Sequence, residues 1–219
     1  MGKKYPESKV ELTPKIAKNY DKIMNIASFG LYARFIRKAI ESMSISPDDK
    51  ILDFGAGTGR NALLMNKYLS DKGEILGLEI SEQMISKFKE NTKDIQNLKI
   101  VKMSIDEPLS FDNKFDKVFI SFVLHGFPQE VRGQIIRNAF NALKEGGQFI
   151  ILDFNEFILK DTPFYFRIPF KIIECKYAFD FVERDWKNIL HNYGFNGFEE
   201  FYFFHKYVRL LKAKKNKKI

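Results

Sequence analysis

Three glycines set between two acids carry most of the chemistry available to this chain. Ile51-Leu52-Asp53-Phe54-Gly55-Ala56-Gly57-Thr58-Gly59-Arg60 reads as an apolar strand, a glycine loop and the start of a helix. Gly55 and Gly57 let the backbone turn sharply and approach a ligand with no Cβ in the way. Glu79 follows Gly59 by twenty residues and closes the next apolar run, where a carboxylate can accept both hydroxyls of a ribose. A dinucleotide site wants G-x-G-x-x-G, but here the third glycine comes one residue early and Arg60 stands in its place. Asp53 would repel a pyrophosphate, yet it can hold an ammonium group. A nucleoside joined to a zwitterionic amino-acid tail therefore suits the loop better than a nicotinamide dinucleotide. A glycine turn without a ligand is the remaining alternative.

A second set of candidates lies further on. His125 follows Ser121-Phe122-Val123-Leu124 at the end of an apolar run, and Asp153 ends the run after it. In open α/β sheets ligands bind at the carboxyl ends of strands. An imidazole there can orient or deprotonate an acceptor hydroxyl, and Asp153 is the rival base. Structural hydrogen bonding is the plainer account of both, and is the expectation for His191 and His205. Three dispersed histidines and the lone Cys175 make no metal-ligand cluster.

These residues need a scaffold, and the sequence supplies one. Apolar runs at Lys50–Phe54, Glu74–Glu79, Leu98–Lys102, Phe115–Ser121 and Gly147–Phe154 alternate with helical patterns near Thr58–Leu69, Ser81–Thr92 and Pro128–Leu143. That alternation predicts an α/β fold, a doubly wound and mostly parallel sheet. Ser81 is the expected N-cap of the second helix, and Gly146-Gly147 the expected end of the third. Two helical patterns, near Pro14–Met24 and Leu31–Met43, come first. After a helix at Asp185–Tyr193, aromatic runs at Phe198–Phe204 and Lys206–Lys212 predict an antiparallel hairpin or one bulged strand.

With the loop, Glu79 and this order of elements in place, the chain resembles the class I S-adenosylmethionine-dependent methyltransferases, from about residue 18 to 212. The resemblance implies a Rossmann-like fold that takes S-adenosyl-L-methionine and releases S-adenosyl-L-homocysteine. It assigns Gly55, Ala56 and Gly57 to the methionine part, Asp53 to the amino end and Glu79 to the ribose, with Ile80, Met84 and Ser121 nearby. Adenine contacts fall to Ser104, Ile105 and Asp106, where the family usually has an Asp-Ala type pair. Ala17-Lys18-Asn19-Tyr20-Asp21-Lys22-Ile23-Met24-Asn25, Ser28-Phe29-Gly30 and Arg34 are similar to the opening of the ubiquinone/menaquinone C-methyltransferases, the UbiE-like group. Ile120-Ser121-Phe122 and Leu152-Asp153-Phe154 continue that likeness, which implies that Tyr20 and Met24 face the cofactor. The chain departs from the group at His125-Gly126, where Arg-Asn is typical.

Composition narrows the rest. In 219 residues, 45% are hydrophobic and 29% charged, which excludes a disordered chain or a fibre. The lone cysteine and the polar start, Met-Gly-Lys-Lys-Tyr-Pro-Glu, lead us to expect a cytoplasmic protein. Five of the net eight positive charges sit in Lys212 to Ile219, expected to form a solvated basic tail whose deletion would leave folding intact. Such a tail suits peripheral contact with an inner membrane surface, or nucleic acid. Seven Phe and two Tyr lie within residues 154–181, where class I methyltransferases insert substrate-covering elements. Phe157, Phe164, Tyr165, Phe166, Phe170, Tyr177 and Phe179 either complete the core or wall an apolar acceptor pocket, with Lys160, Arg167 and Lys171 interleaved.

One domain is expected: a helical cap (1–46), a cofactor-binding core (47–154), an aromatic lid (155–184), a helix and hairpin (185–212) and the tail (213–219). The leading reading is methyl transfer to a small apolar acceptor, a prenylated quinol or a lipid. The alternatives are methylation of RNA or another polyanion, against which no RNA-binding module is visible, and a non-catalytic cofactor-binding protein. Oligomeric state is left open.

Overall fold

The computed structural model describes Tyr5, Ser8 and residues 31–216. The expected helix at Pro14–Met24 lies outside the described residues. Helix α1 (Leu31–Glu41) buries Phe35, Ile36, Ala39 and Ile40, a stripe at helical spacing, against one face of a seven-stranded sheet. The strands are β1 (Lys50–Phe54), β2 (Glu74–Glu79), β3 (Leu98–Lys102), β4 (Phe115–Ser121), β5 (Leu143–Phe154), β6 (Phe195–Phe203) and β7 (Val208–Lys215). Their order is β3-β2-β1-β4-β5-β7-β6, parallel through β5 and antiparallel at β7 and β6.

Helices α2 (Arg60–Met65) and α3 (Glu82–Asn91) join α1 on one face. On the other lie α4 (Gln129–Ala142), α5 (Phe164–Ile173), α6 (Lys176–Val182) and α7 (Trp186–Asn192). Chain reversal at β1/β4 makes that junction the topological switch point, the usual ligand crevice of such sheets. The doubly wound α/β expectation therefore holds. Ser81 caps α3 as expected, its hydroxyl accepting from Met84 N–H at 3.4 Å.

Two expectations need correction. Gly146-Gly147 does not end α4: the helix stops at Ala142 and β5 begins at once. The glycine pair sits in a bulge between the Phe115↔Leu143 and Lys117↔Gln148 pairings. Asn113 and Lys114 N–H bonds to the Asn141 and Ala142 carbonyls, with Lys144 on Asp116 at 2.7 Å, draw the chain alongside β4 early.

The basic tail is also shorter than its charge suggested. Ala213–Lys215 belong to β7, which runs between β5 and β6, and Lys212 and Lys215 are buried. Their ammonium groups lie 5.8 and 4.5 Å from the ring centroids of Phe201 and Phe140, and reach Glu199 at 2.9 Å and the Leu143 carbonyl at 2.7 Å. Deleting Lys212–Ile219 would therefore remove half of a central strand. The tight connection to β6 is a hairpin turn through Phe204, His205 and Lys206, all at positive φ.

Candidate active site

The parallel strands place nearly every predicted residue at one edge of the sheet, their carboxyl ends. Gly55 and Ala56 N–H both bond the Leu78 carbonyl at 2.9 and 3.1 Å, folding the loop across β2. At Gly55 φ is +73°, and a Cβ would meet Val123 Cγ2 at 2.8 Å, so glycine is required there on both counts. Gly57 is also left-handed, at +56°, but nothing lies within 4 Å of its missing Cβ. Its bare face borders open space.

Glu79 organises this loop. Its Oε2 accepts from Gly57 N–H at 3.0 Å, and Oε1 accepts from Ile80 and Ser81 N–H at 2.9 Å each. Both oxygens keep further lone-pair capacity. Asp53 is different: only 1% of it is exposed and its Oδ2 has no hydrogen-bond partner. Burial, and then the nearby Glu79 charge, push its carboxyl up to about 7. A buried acceptor without a donor, beside a second carboxylate, suits a cation. The ammonium of the S-adenosylmethionine tail fits it, and the open face at Gly57 fits the tail's backbone. Arg60 lies with its guanidinium over the Tyr32 ring at 4.7 Å.

Beyond β3, the Ser104 hydroxyl donates to Asp106 Oδ1, and Tyr5 O–H donates to Asp106 Oδ2 at 2.6 Å. Ile105 is buried, its carbonyl held by Asn138 Nδ2 at 2.8 Å; the same amide holds the Glu107 carbonyl at 2.7 Å and accepts from Leu109 N–H at 3.2 Å. Tyr5 also sets its ring edge-on to Phe127 at 5.4 Å. Met84 is buried beneath this side and Ser121 ends β4. Tyr20 and Met24 lie outside the described residues. Sequence reasoning missed Tyr5 and Asn138. Tyr5 belongs to no motif, and Asn138 passes for any polar helix residue until its partners, about thirty positions away, are folded against it.

His125 and Asp153 are not rivals but one pair. His125 sits in a short 3-10 turn, Leu124–Gly126, and is buried. Its Nδ1 lies 2.7 Å from Asp153 Oδ1, and its N–H donates to Asp153 Oδ2 at 3.2 Å. A carboxylate only accepts, so Nδ1 carries the hydrogen and Nε2 is left for other work. Asp153 Oδ1 also accepts from Phe154 N–H at 2.8 Å, so three donors hold the carboxylate in place as an orienting group. Glu174 Oε2 stands 3.5 Å from Nε2. Burial alone would lower the imidazole pKa, but Asp153, by charge and hydrogen bond, and then Glu174 outweigh burial and Arg132, and the balance is upward from 6.5. Rings of Phe154 and Phe181 flank the imidazole at 5.1 and 6.3 Å.

Most of the aromatic segment completes the core. Phe170 is buried, and Phe157, Phe166, Tyr177 and Phe179 pack on the core. Phe166 stacks on Tyr207 at 3.8 Å. Phe164, Tyr165 and Ile168 on α5 point outward, at 66%, 71% and 54% exposure. A helix with one buried and one open apolar face cannot be read from residue counts alone.

Comparison with known proteins identifies the family. Residues 3–177 match the model of the ubiE/COQ5 methyltransferase family. The chain is 30% identical over 176 residues to a demethylmenaquinone methyltransferase of Staphylococcus carnosus, covering 78% of this chain and 72% of that one. It is 29% identical over 141 residues to the protein of that name from Listeria welshimeri, spanning 64% of this chain and 59% of the relative. Among solved structures, an S-adenosylmethionine-dependent methyltransferase from Aquifex aeolicus superposes with TM-score 0.68 at 17% identity, over 93% of this chain and 99% of that one. Human N-acetylserotonin methyltransferase superposes with TM-score 0.69 at 13% identity, over 94% and 57%; these two likenesses speak for the fold. By the family match, the relatives and the glycine loop, the chain belongs to the ubiE/COQ5 methyltransferases and is an S-adenosylmethionine-dependent enzyme.

Proposed function

We propose that the chain methylates a small apolar acceptor carrying an acidic hydroxyl, a prenylated quinol, at a ring carbon. One observation supports this reading above the others: a single oriented imidazole, His125 on Asp153, set between phenyl rings at the carboxyl ends of β4 and β5. The bound cofactor supplies an electrophilic sulfonium methyl group. The chain's residues do the remainder. Asp53, Gly55, Ala56, Gly57 and Glu79 hold the amino-acid tail and ribose, and Ser104, Ile105 and Asp106 face the adenine. His125 Nε2 takes the acceptor's hydroxyl proton while Asp153 keeps the hydrogen on Nδ1. The phenolate so formed makes the adjacent ring carbon nucleophilic. That carbon takes the methyl group as the methyl–sulfur bond breaks, then loses its own proton to solvent to restore the aromatic ring, while His125 returns the hydroxyl proton. The apolar walls exclude bulk water during in-line transfer. The relatives named demethylmenaquinone methyltransferase support a naphthoquinol in particular.

The exposed apolar residues of α5, with Arg167 and Lys171 among them, support contact with an anionic membrane surface, where such an acceptor resides. Among the described residues, no helix is long and apolar enough to cross a membrane.

Methyl-labelled S-adenosylmethionine with a demethylated prenyl naphthoquinol in detergent micelles tests the acceptor. Label recovered in the organic phase on the quinol is the expected result. Label only in RNA or water-soluble molecules from a cell extract would replace the quinol reading. Cofactor binding without label anywhere would favour a regulatory binding protein.

A further inference from the structure

Arg132 is fully buried, and no cofactor or acceptor role described above calls for it. Its guanidinium uses all five N–H groups. Nε donates to the Leu124 carbonyl at 3.3 Å, and Nη1 to Gln129 Oε1 at 3.1 Å and Asp180 Oδ2 at 2.6 Å. Nη2 donates to the carbonyls of His125 at 3.1 Å and Tyr177 at 2.5 Å. The Phe181 and Trp186 rings lie 5.2 and 5.6 Å from Cζ. Asp180 is held in turn by Arg184, at 2.6 and 2.8 Å. One side chain on α4 thus ties the turn carrying His125 to α6, which carries the aromatic wall.

Stability alone is a weak reason for such an arrangement, because apolar side chains of similar volume often replace a buried ion pair without loss. An apolar side chain cannot fix two consecutive carbonyls, Leu124 and His125, in one orientation. A lysine cannot either, since it lacks the planar fork.

We propose that Arg132 is a positioning residue: it clamps the Leu124–Gly126 turn to α6, so that the His125 imidazole and the acceptor wall move as one unit. The proposal rests on the reading of His125 as the proton acceptor. The groups facing that imidazole are Asp153 from β5, Glu174 from the end of α5, and Arg132 itself from α4. Loosening the turn changes the distances to all three together.

The test uses Arg132→Lys and Arg132→Met in the full chain, with Asp180→Asn as a milder variant at a partly exposed partner. Imidazole NMR titration follows the three histidines, with His125 assigned through His125→Gln. Steady-state rates against pH and cofactor calorimetry accompany it. The expected result is a displaced His125 midpoint and an equal displacement of the acidic limb of kcat/KM. kcat should fall roughly tenfold to a hundredfold, with cofactor Kd within about twofold and His191 and His205 unmoved. Asp180→Asn should give the same pattern at smaller amplitude, and it decides the matter should both Arg132 variants fail to fold. Folded variants with an unmoved His125 midpoint and normal kcat would overturn the clamp. A midpoint moved in the charge-conserving Arg132→Lys, with an unmoved rate limb, would uphold the clamp and overturn His125 as the proton acceptor. A midpoint moved only in Arg132→Met, where the charge itself is lost, would overturn the clamp.

Discussion

The two ends of the site manage charge in opposite ways. At the cofactor end, Asp53 is buried with one oxygen unpaired, and Gly57 borders open space. At the acceptor end every buried charge has a partner: His125 on Asp153, and Arg132 on four carbonyl or carboxylate oxygens and an amide oxygen. The first region presents an unmet acceptor, which in the proposed reading the ammonium of the cofactor satisfies. The second is complete beforehand, with its imidazole and guanidinium already held in place by the chain's own groups. The contrast separates binding from chemistry, and substitutions at the two ends should fail differently.

Glu79→Ala is expected to have the largest effect. Two charge-assisted bonds to the ribose, at about 1.5–3 kcal/mol each, predict a cofactor affinity lower by roughly two to four orders of magnitude. Losing the hold on Gly57 N–H adds to this. Unchanged affinity by calorimetry would break the ribose assignment. His125→Gln should do the reverse: kcat falls by about a hundredfold to ten-thousandfold, the usual range for acid–base groups, while cofactor Kd stays within about twofold. A variant that loses cofactor affinity instead would mean that the two ends are one.

Asp53→Asn sharpens the contrast. Affinity for the cofactor should drop about ten- to a hundredfold with the loss of a charged hydrogen bond. The ligand-free protein should nevertheless melt at a higher temperature at neutral pH. The sign follows from linkage. A carboxyl raised from 3.8 to about 7 binds a proton in the folded state that the unfolded chain has lost, so stability falls as pH rises between those values. Asparagine removes that penalty. The mildest test is pH alone. The carboxylate form of Asp53 binds the ammonium, so wild-type affinity should weaken by up to tenfold per unit as pH falls below about 7. Asp53→Asn should flatten the curve, and a wild-type profile flat from pH 5 to 8 would remove Asp53 from the cofactor site.

The same contrast explains what the sequence disclosed. The cofactor end is built from a contiguous loop and one acid at a fixed interval, so residue types and spacing suffice to find Asp53, Gly55, Gly57 and Glu79. The acceptor end is built from partners distant in the chain, Asp153 on His125 and Tyr177 and Asp180 on Arg132. His125 and Asp153 were each visible at a strand end, but not that they form a pair. Arg132 and Asn138 gave no signal, because polar residues on a helix are ordinarily solvated. Strand assignments survived for a related reason: parallel strands buried on both faces read as continuous apolar runs. The lysines of β7 misled because a charge count does not record where a long stem packs.

Helix α4 carries both Arg132 and Asn138, one gripping the turn that carries His125 and the other the loop that carries Ile105 and Glu107. Six residues apart on a helix amounts to about 9 Å along the axis and roughly a third of a turn around it. That helix is therefore a ruler whose markings are set by peptide geometry, and the spacing between the His125 turn and the Ile105 loop is inherited from it. Reshaping the aromatic wall should change which molecule enters. Changing the spacing between those two loops would require moving a marking, which the repeat of the helix fixes.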